Sequence, residues 1–150
     1  MKKLLLIPTL LCVLMLNVKC SSSDDNSSTN PTAVINTATS GTWRITSFVD
    51  SGNDETNHFT NYNFTFATGN VLTATNGPNT YTGSWSVTSD DSGDDNPSGD
   101  VDFNILFASP ADFADLTEDW HIVSYSATTI SLNHVSGGNG GTDTLVFTKN

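Results

Sequence analysis

Basic residues are scarce in this 150-residue chain: five Lys and Arg stand against sixteen Asp and Glu, a formal net charge of −11. Lys2, Lys3 and Lys19 lie near the N-terminus, so only Arg44 and Lys149 remain beyond it. A surface this acidic repels phosphate backbones and anionic head groups, which excludes nucleic acid as a partner. Cysteine is equally rare, with Cys12 inside an apolar run and Cys20 just after it. No disulfide is therefore expected to staple the rest of the chain, which must hold together by packing. Missing too is any apolar stretch of the roughly 20 residues that a membrane-spanning helix needs. The longest run, Leu4 to Leu16, is broken by Pro8 and Thr9. Preceded by Lys2 and Lys3, it has the form of a secretion signal, a charged region followed by a short apolar one.

Asn17-Val18-Lys19-Cys20 follows that run, and then Ser21-Ser22-Ser23-Asp24-Asp25-Asn26. The passage resembles a bacterial lipoprotein signal. That resemblance implies that residues 1–19 are removed, that Cys20 carries the lipid, and that the chain is held to a membrane through it. The Ser/Asp run resembles the acidic export tag that sends lipoproteins of the Bacteroidota to the exterior face of the outer membrane. Residues 20–40 have almost no large side chains to bury, so they are expected to form a disordered acidic tether. Val34 and Ile35 are the exceptions, expected to pack onto the domain or cap one of its ends.

From Gly41 to Asn150 the pattern changes to short alternating runs separated by turn residues, as in an antiparallel sandwich or barrel. Trp43, Ile45 and Val49 share one face of the first run, with Thr42, Arg44 and Thr46 on the other. Tyr62, Phe64 and Phe66 alternate with polar residues. So do Tyr81, Gly83, Trp85 and Val87, and then Val101, Phe103, Ile105 and Phe107. Gly83 marks a bulge or a close approach of another backbone or ring. Ser109-Pro110-Ala111-Asp112 predicts a short helix to about Leu116, because it offers a capping residue, a proline at the first helical position and an early acid. Runs at 71–75, 120–126, 129–135 and 142–149 bring the count to eight strands and one helix.

Gly41-Thr42-Trp43, Leu116 to Val123, Ile130-Ser131-Leu132 and Leu145 to Lys149 together resemble the lipocalin-like domains of Bacteroidota lipoproteins. The resemblance implies an all-β, eight-stranded antiparallel up-and-down barrel over residues 41–150, with the helix between strands five and six. Lys149 stands where such domains carry an arginine over the first-strand tryptophan. Eight strands enclose a space that either holds one small molecule or is filled by side chains, and so many rings on the inward faces point to filling.

Two functions follow from this reading. One is a surface lipoprotein that binds a small apolar or glycan ligand at the barrel mouth through Trp43, Tyr81, Trp85 and Trp120, whose plainer role is core packing. The alternative is a structural or interaction subunit with a filled barrel and a protein partner at the cell surface. An enzyme is not expected, since His58, His121 and His134 sit in no catalytic motif. No cofactor is expected either. The Asp90 to Asp100 stretch lacks the spacing of a calcium loop and is expected to be a solvated hairpin. A tight turn at Ala127-Thr128 would pair Tyr125 with Ile130, Val123 with Leu132 and His121 with His134. Imidazoles on cross-strand partners are close enough to share a transition metal, the plainer role being two polar side chains near a strand end.

Overall fold

Strand β1 (Thr42–Asp50) turns Trp43 and Ile45 inward and then changes phase. Its pairing with the last strand shifts between Ile45 and Ser47. Phe48, at 1 % exposure, therefore faces the core, and Val49 does not take the inward place expected of it. An extra residue in one strand of a pair reverses the face of every residue after it.

The computed structural model describes residues 29–89, 101–135 and 141–150. After β1 come β2 (Asn53–Asp54), β3 (Asn63–Ala67), β4 (Val71–Asn76), β5 (Asn79–Ser89), β6 (Val101–Leu106), β7 (Glu118–Tyr125), β8 (Thr129–Val135) and β9 (Thr142–Lys149). β2 is a two-residue spur on the end of β1. The other eight pair antiparallel in the order β1-β3-β4-β5-β6-β7-β8-β9, and β9 returns to β1, closing the barrel. A closed eight-stranded antiparallel barrel with a short helix between β6 and β7 is the architecture expected, consistent in general with lipocalin-like folds.

Local chemistry sets the turns. Gly77 holds φ +56° at the first position of the two-residue loop joining β4 to β5, a backbone region that hairpin turns of this length require and that glycine enters without strain. Gly83 answers to the close approach expected of it: a Cβ there would run into the carbonyl oxygen of Leu106 and lie 2.8 Å from the Phe107 ring. The helix α2 (Ala111–Ala114) is shorter than expected and starts after Pro110, which caps it without a side-chain bond. Its last turn tightens, with Leu116 N–H donating to Phe113 O and Thr117 N–H to Ala114 O.

Residues 20–40 need correction, because part of the presumed tether is helical. α1 (Pro31–Ala38) is capped by the Asn30 side chain, which accepts from Thr32 N at 2.9 Å, and has Pro31 at its first position. Val34 and Ala38, one helical turn apart, are both 0 % exposed, while Ile35 stays outside at 36 %. Two small buried residues in an eight-residue helix are a weak periodic signal, so the stretch looks like linker in composition alone. The signal segment 1–19, Cys20, the Ser/Asp run, and the Asp90 to Asp100 stretch lie outside the described residues.

The barrel interior is occupied by rings. Phe64, Phe103, Trp120 and Phe147 are all 0 % exposed, and Phe66 and Phe59 only 1 %. They meet edge to face, as between Phe66 and Phe103 at 5.3 Å and Phe64 and Phe147 at 5.5 Å. This is the geometry that ring quadrupoles favour.

Candidate functional site

Both ends of the barrel are stoppered by elements outside the sheet. At the end where β1 begins, α1 lies against β5, and Trp43 donates its indole N–H to Ala38 O at 2.8 Å. Lys149 covers Trp43 with its ammonium 5.9 Å from the ring and donates to Ser40 Oγ at 2.8 Å. At the opposite end, the 3-10 turn Thr56–Phe59 and α2 bring Phe59 and Phe113 together at 5.2 Å.

The residues expected to contact a ligand divide between core and rim. Trp43 and Trp120 are fully buried, and Trp85 is 6 % exposed. Each indole N–H is bound to a backbone carbonyl: Trp43 to Ala38, Trp85 to Ala67 at 3.0 Å and Trp120 to Leu116 at 3.0 Å. The three indole N–H groups are thus engaged by backbone carbonyls, and of the three rings only Trp85 reaches a surface cleft, of about 390 Å³, that it lines with Asn70 and Ser84. Tyr81 is at the rim, half-buried, 5.9 Å from Tyr62 and 4.8 Å from Phe113. Partial loss of solvent, and then the hydrogen bond with Tyr81, raise the Tyr62 phenol above its ordinary pKa.

The pairing of His121 with His134 is not what the strands adopt. Tyr125 faces Ile130 as expected, but a bulge between Ile122 and Ser124 leaves Val123 unpaired, 58 % exposed, and sets His121 opposite Asn133. The bulge lets Trp120 and Ile122 both point into the core on a strand whose end would otherwise be out of phase with them. Trp120 thus takes the place beside His134, with rings 6.3 Å apart. His121 follows Trp120 directly and so belongs to the other face.

His134 has acidic company instead. Its Nδ1 lies 3.6 Å from Glu118 Oε2 and 3.8 Å from Asp143 Oδ2, and its Nε2 lies 3.8 Å from Asp119 Oδ1. The β8–β9 register puts Asp143 directly opposite His134, one inward step before Leu145 and Phe147. Asp143 is 7 % exposed and accepts the Ser51 N–H at 2.7 Å through Oδ1. Beside it opens a cleft of about 190 Å³ lined by Phe48, Asp50, Ala114, Asp115, Glu118, Trp120 and Asp143. Glu118, Asp119 and His134 are close enough for one ligand atom of each to reach a single metal ion. The sequence singles out His134, but nothing in it joins Glu118, Asp119 or Asp143 to that residue. The signal for Asp143 was present: it heads the alternating row Asp143, Leu145, Phe147, where an acid on an inward face is anomalous.

His58, the remaining histidine, is a surface residue with its Nδ1 3.1 Å from Glu55 Oε2. No protein-family model, no curated protein and no solved structure matches the chain.

Proposed function

We propose that the chain is a lipoprotein anchored through Cys20 to the outer membrane and facing the exterior. On this reading its barrel is a filled scaffold that serves as an interaction subunit rather than a carrier or a catalyst. A closed barrel is in general compatible with an internal ligand cavity. The observation that carries the proposal is the occupancy of this one: rings fill the interior, and α1, Phe59 and Phe113 stopper its ends. The lipid at Cys20 rests on the resemblance of residues 17–26 to a bacterial lipoprotein signal. With α1 beginning at Pro31, the intervening tether reaches at most about 35 Å when extended. It leads into α1, at the end of the barrel opposite the one where His134 lies.

Organic extraction of the purified protein, followed by mass spectrometry, tests the filled barrel, and no stoichiometric ligand is expected. A second reading, a small apolar or glycan ligand at the mouth, is favoured by the half-buried Tyr62–Tyr81 pair over Phe113. A lipid or glycan recovered at one per chain would move the assignment there. Anchoring has its own test. Cys20→Ala is expected to move the protein from the membrane fraction to the soluble fraction, and retention of the variant on membranes in high salt would refute the lipid anchor.

A further inference from the structure

The shortest ladder in the barrel wall joins β1 to β3. It holds two pairs, Thr42 with Thr65 and Trp43 with Phe64, whereas β3 and β4 share five. Continued, that register would set Arg44 opposite Asn63 and Ile45 opposite Tyr62. The ladder stops short of them, because the chain enters β3 from the 3-10 turn through a bend at Asn61, whose φ is +66°. Asparagine is among the residues that enter this left-handed region most readily. β1 meanwhile stays paired with β9 on its other side. Between the diverging segments opens a groove of about 570 Å³, with the buried Ile45 and Phe59 at its base and the exposed Arg44, Thr46, Asn61 and Asn63 around it.

Charge sets this groove apart from the rest of an acidic molecule. No Asp or Glu lines it, whereas four line the cleft beside Asp143. Arg44 does, and the other cation among the described residues, Lys149, is paired with the neighbouring Trp43. Arg44 Nη1 donates to Asn150 Oδ1 at 3.2 Å and to Lys149 O at 3.5 Å. Asn150 is held in turn by its Nδ2, which donates to Asn63 Oδ1 at 2.7 Å and to Thr42 Oγ1 at 3.2 Å. A guanidinium has five N–H donors, and among the described residues these contacts engage Nη1 alone, with neutral acceptors. Asn63 is used through its oxygen, so its amide nitrogen faces the same way as a further donor group. The groove therefore offers donors in surplus and a positive charge fixed in orientation, the arrangement that suits a planar anion.

We propose that the groove binds a carboxylate-bearing sugar, free or at the end of a glycan, with Arg44 on the carboxylate and Asn61 and Asn63 on hydroxyls. Its size suits roughly one or two sugar rings. A bare inorganic anion would leave most of that space empty, and an apolar ligand would strip water from Arg44 and the amides without replacing their hydrogen bonds. A sugar acid meets both demands, because its C–H face can lie on Ile45, Phe59 and the half-buried Tyr62 while its oxygens accept from the rim. The acidic surface elsewhere repels extended polyanions, which favours a single carboxylate over a phosphate polymer. The site is in the wall rather than the interior, so it does not depend on what fills the barrel, and it gives the interaction subunit a surface through which to act.

The test titrates the purified, untagged protein with glucuronate, glucose or acetate at constant pH and ionic strength, following calorimetry and the shifts of backbone amides. Glucuronate is expected to saturate one site per chain and to move the amides of Arg44 to Thr46 and Asn61 to Asn63. Glucose lacks the carboxylate and acetate lacks the ring, so each should bind at least about tenfold more weakly. Arg44→Gln should bring glucuronate down to the level of glucose. Arg44→Lys should restore only part of the difference, since an ammonium supplies charge without the fork. Arg44 is exposed, and unchanged melting temperatures check that both variants fold. No saturable binding of glucuronate, or undiminished affinity in Arg44→Gln, would overturn the proposal. So would glucose or acetate binding as tightly as glucuronate, or amide shifts centred on Tyr81 and Phe113 instead. Such a failure leaves the filled barrel standing, whereas a ligand recovered by organic extraction would overturn the filled barrel and not this site.

Discussion

Trp43→Ala is expected to destabilise the fold by about 3–5 kcal/mol, the range for deletion of a large buried ring, and to release α1 from the barrel. The indole is 0 % exposed, and its N–H is the hydrogen bond that joins the ring to the last residue of α1. Truncation therefore leaves a cavity at the closed end and removes the donor that satisfies Ala38 O. α1 has little else to hold it, since only Val34 and Ala38 are buried on its face, and an eight-residue helix is not stable alone. No cysteine lies among the described residues, and a domain of ordinary stability, about 5–15 kcal/mol, loses a large share of its margin. Trp43→Phe separates the two terms: it keeps most of the packing but not the N–H, and should cost about 1–3 kcal/mol. Denaturant unfolding gives the energies, and hydrogen exchange at the amides of α1 reports its release. A melting temperature unchanged in Trp43→Ala, or α1 amides as protected as in the parent protein, would contradict this account.

The barrel was legible in the sequence because most strands obey a period of two. Phe64 and Phe66 in β3, and Val101, Phe103 and Ile105 in β6, are buried where alternation puts them. Alternation fails at the two bulges. It assigned Val49 inward where Phe48 goes, and it joined His121 to His134 across a register that the unpaired Val123 displaces. A bulge adds one residue without any required residue type, and only the core decides which face wins. The tether reading failed at α1 for a related reason: the burial of Val34 and Ala38 depends on a surface that only the closed barrel supplies. The acidic cluster around His134 was half legible. His134 stood out as a residue type, but the carboxylates beside it come from β7 and β9, and only the observed register brings Glu118 and Asp143 near it.

Phe113→Ala should have the second large effect, because α2 exists to place that one ring. It is 2 % exposed and touches Phe59 at 5.2 Å, Tyr62 at 5.1 Å, Tyr81 at 4.8 Å and Phe107 at 5.2 Å. The surrounding rings sit on β5, on the 3-10 turn or on residues that adjoin β3 and β6, so they can collapse only partly into the space it leaves. Truncation is expected to cost about 3–5 kcal/mol, and α2, a single turn with no side-chain cap, should lose its order. The filled-barrel reading adds a sharper consequence. A dry apolar cavity of this kind takes up small apolar molecules, so toluene or benzene should raise the melting temperature of Phe113→Ala and leave that of the parent protein unchanged. If the parent gains as much as the variant, it already has an accessible cavity, and the barrel is a container after all.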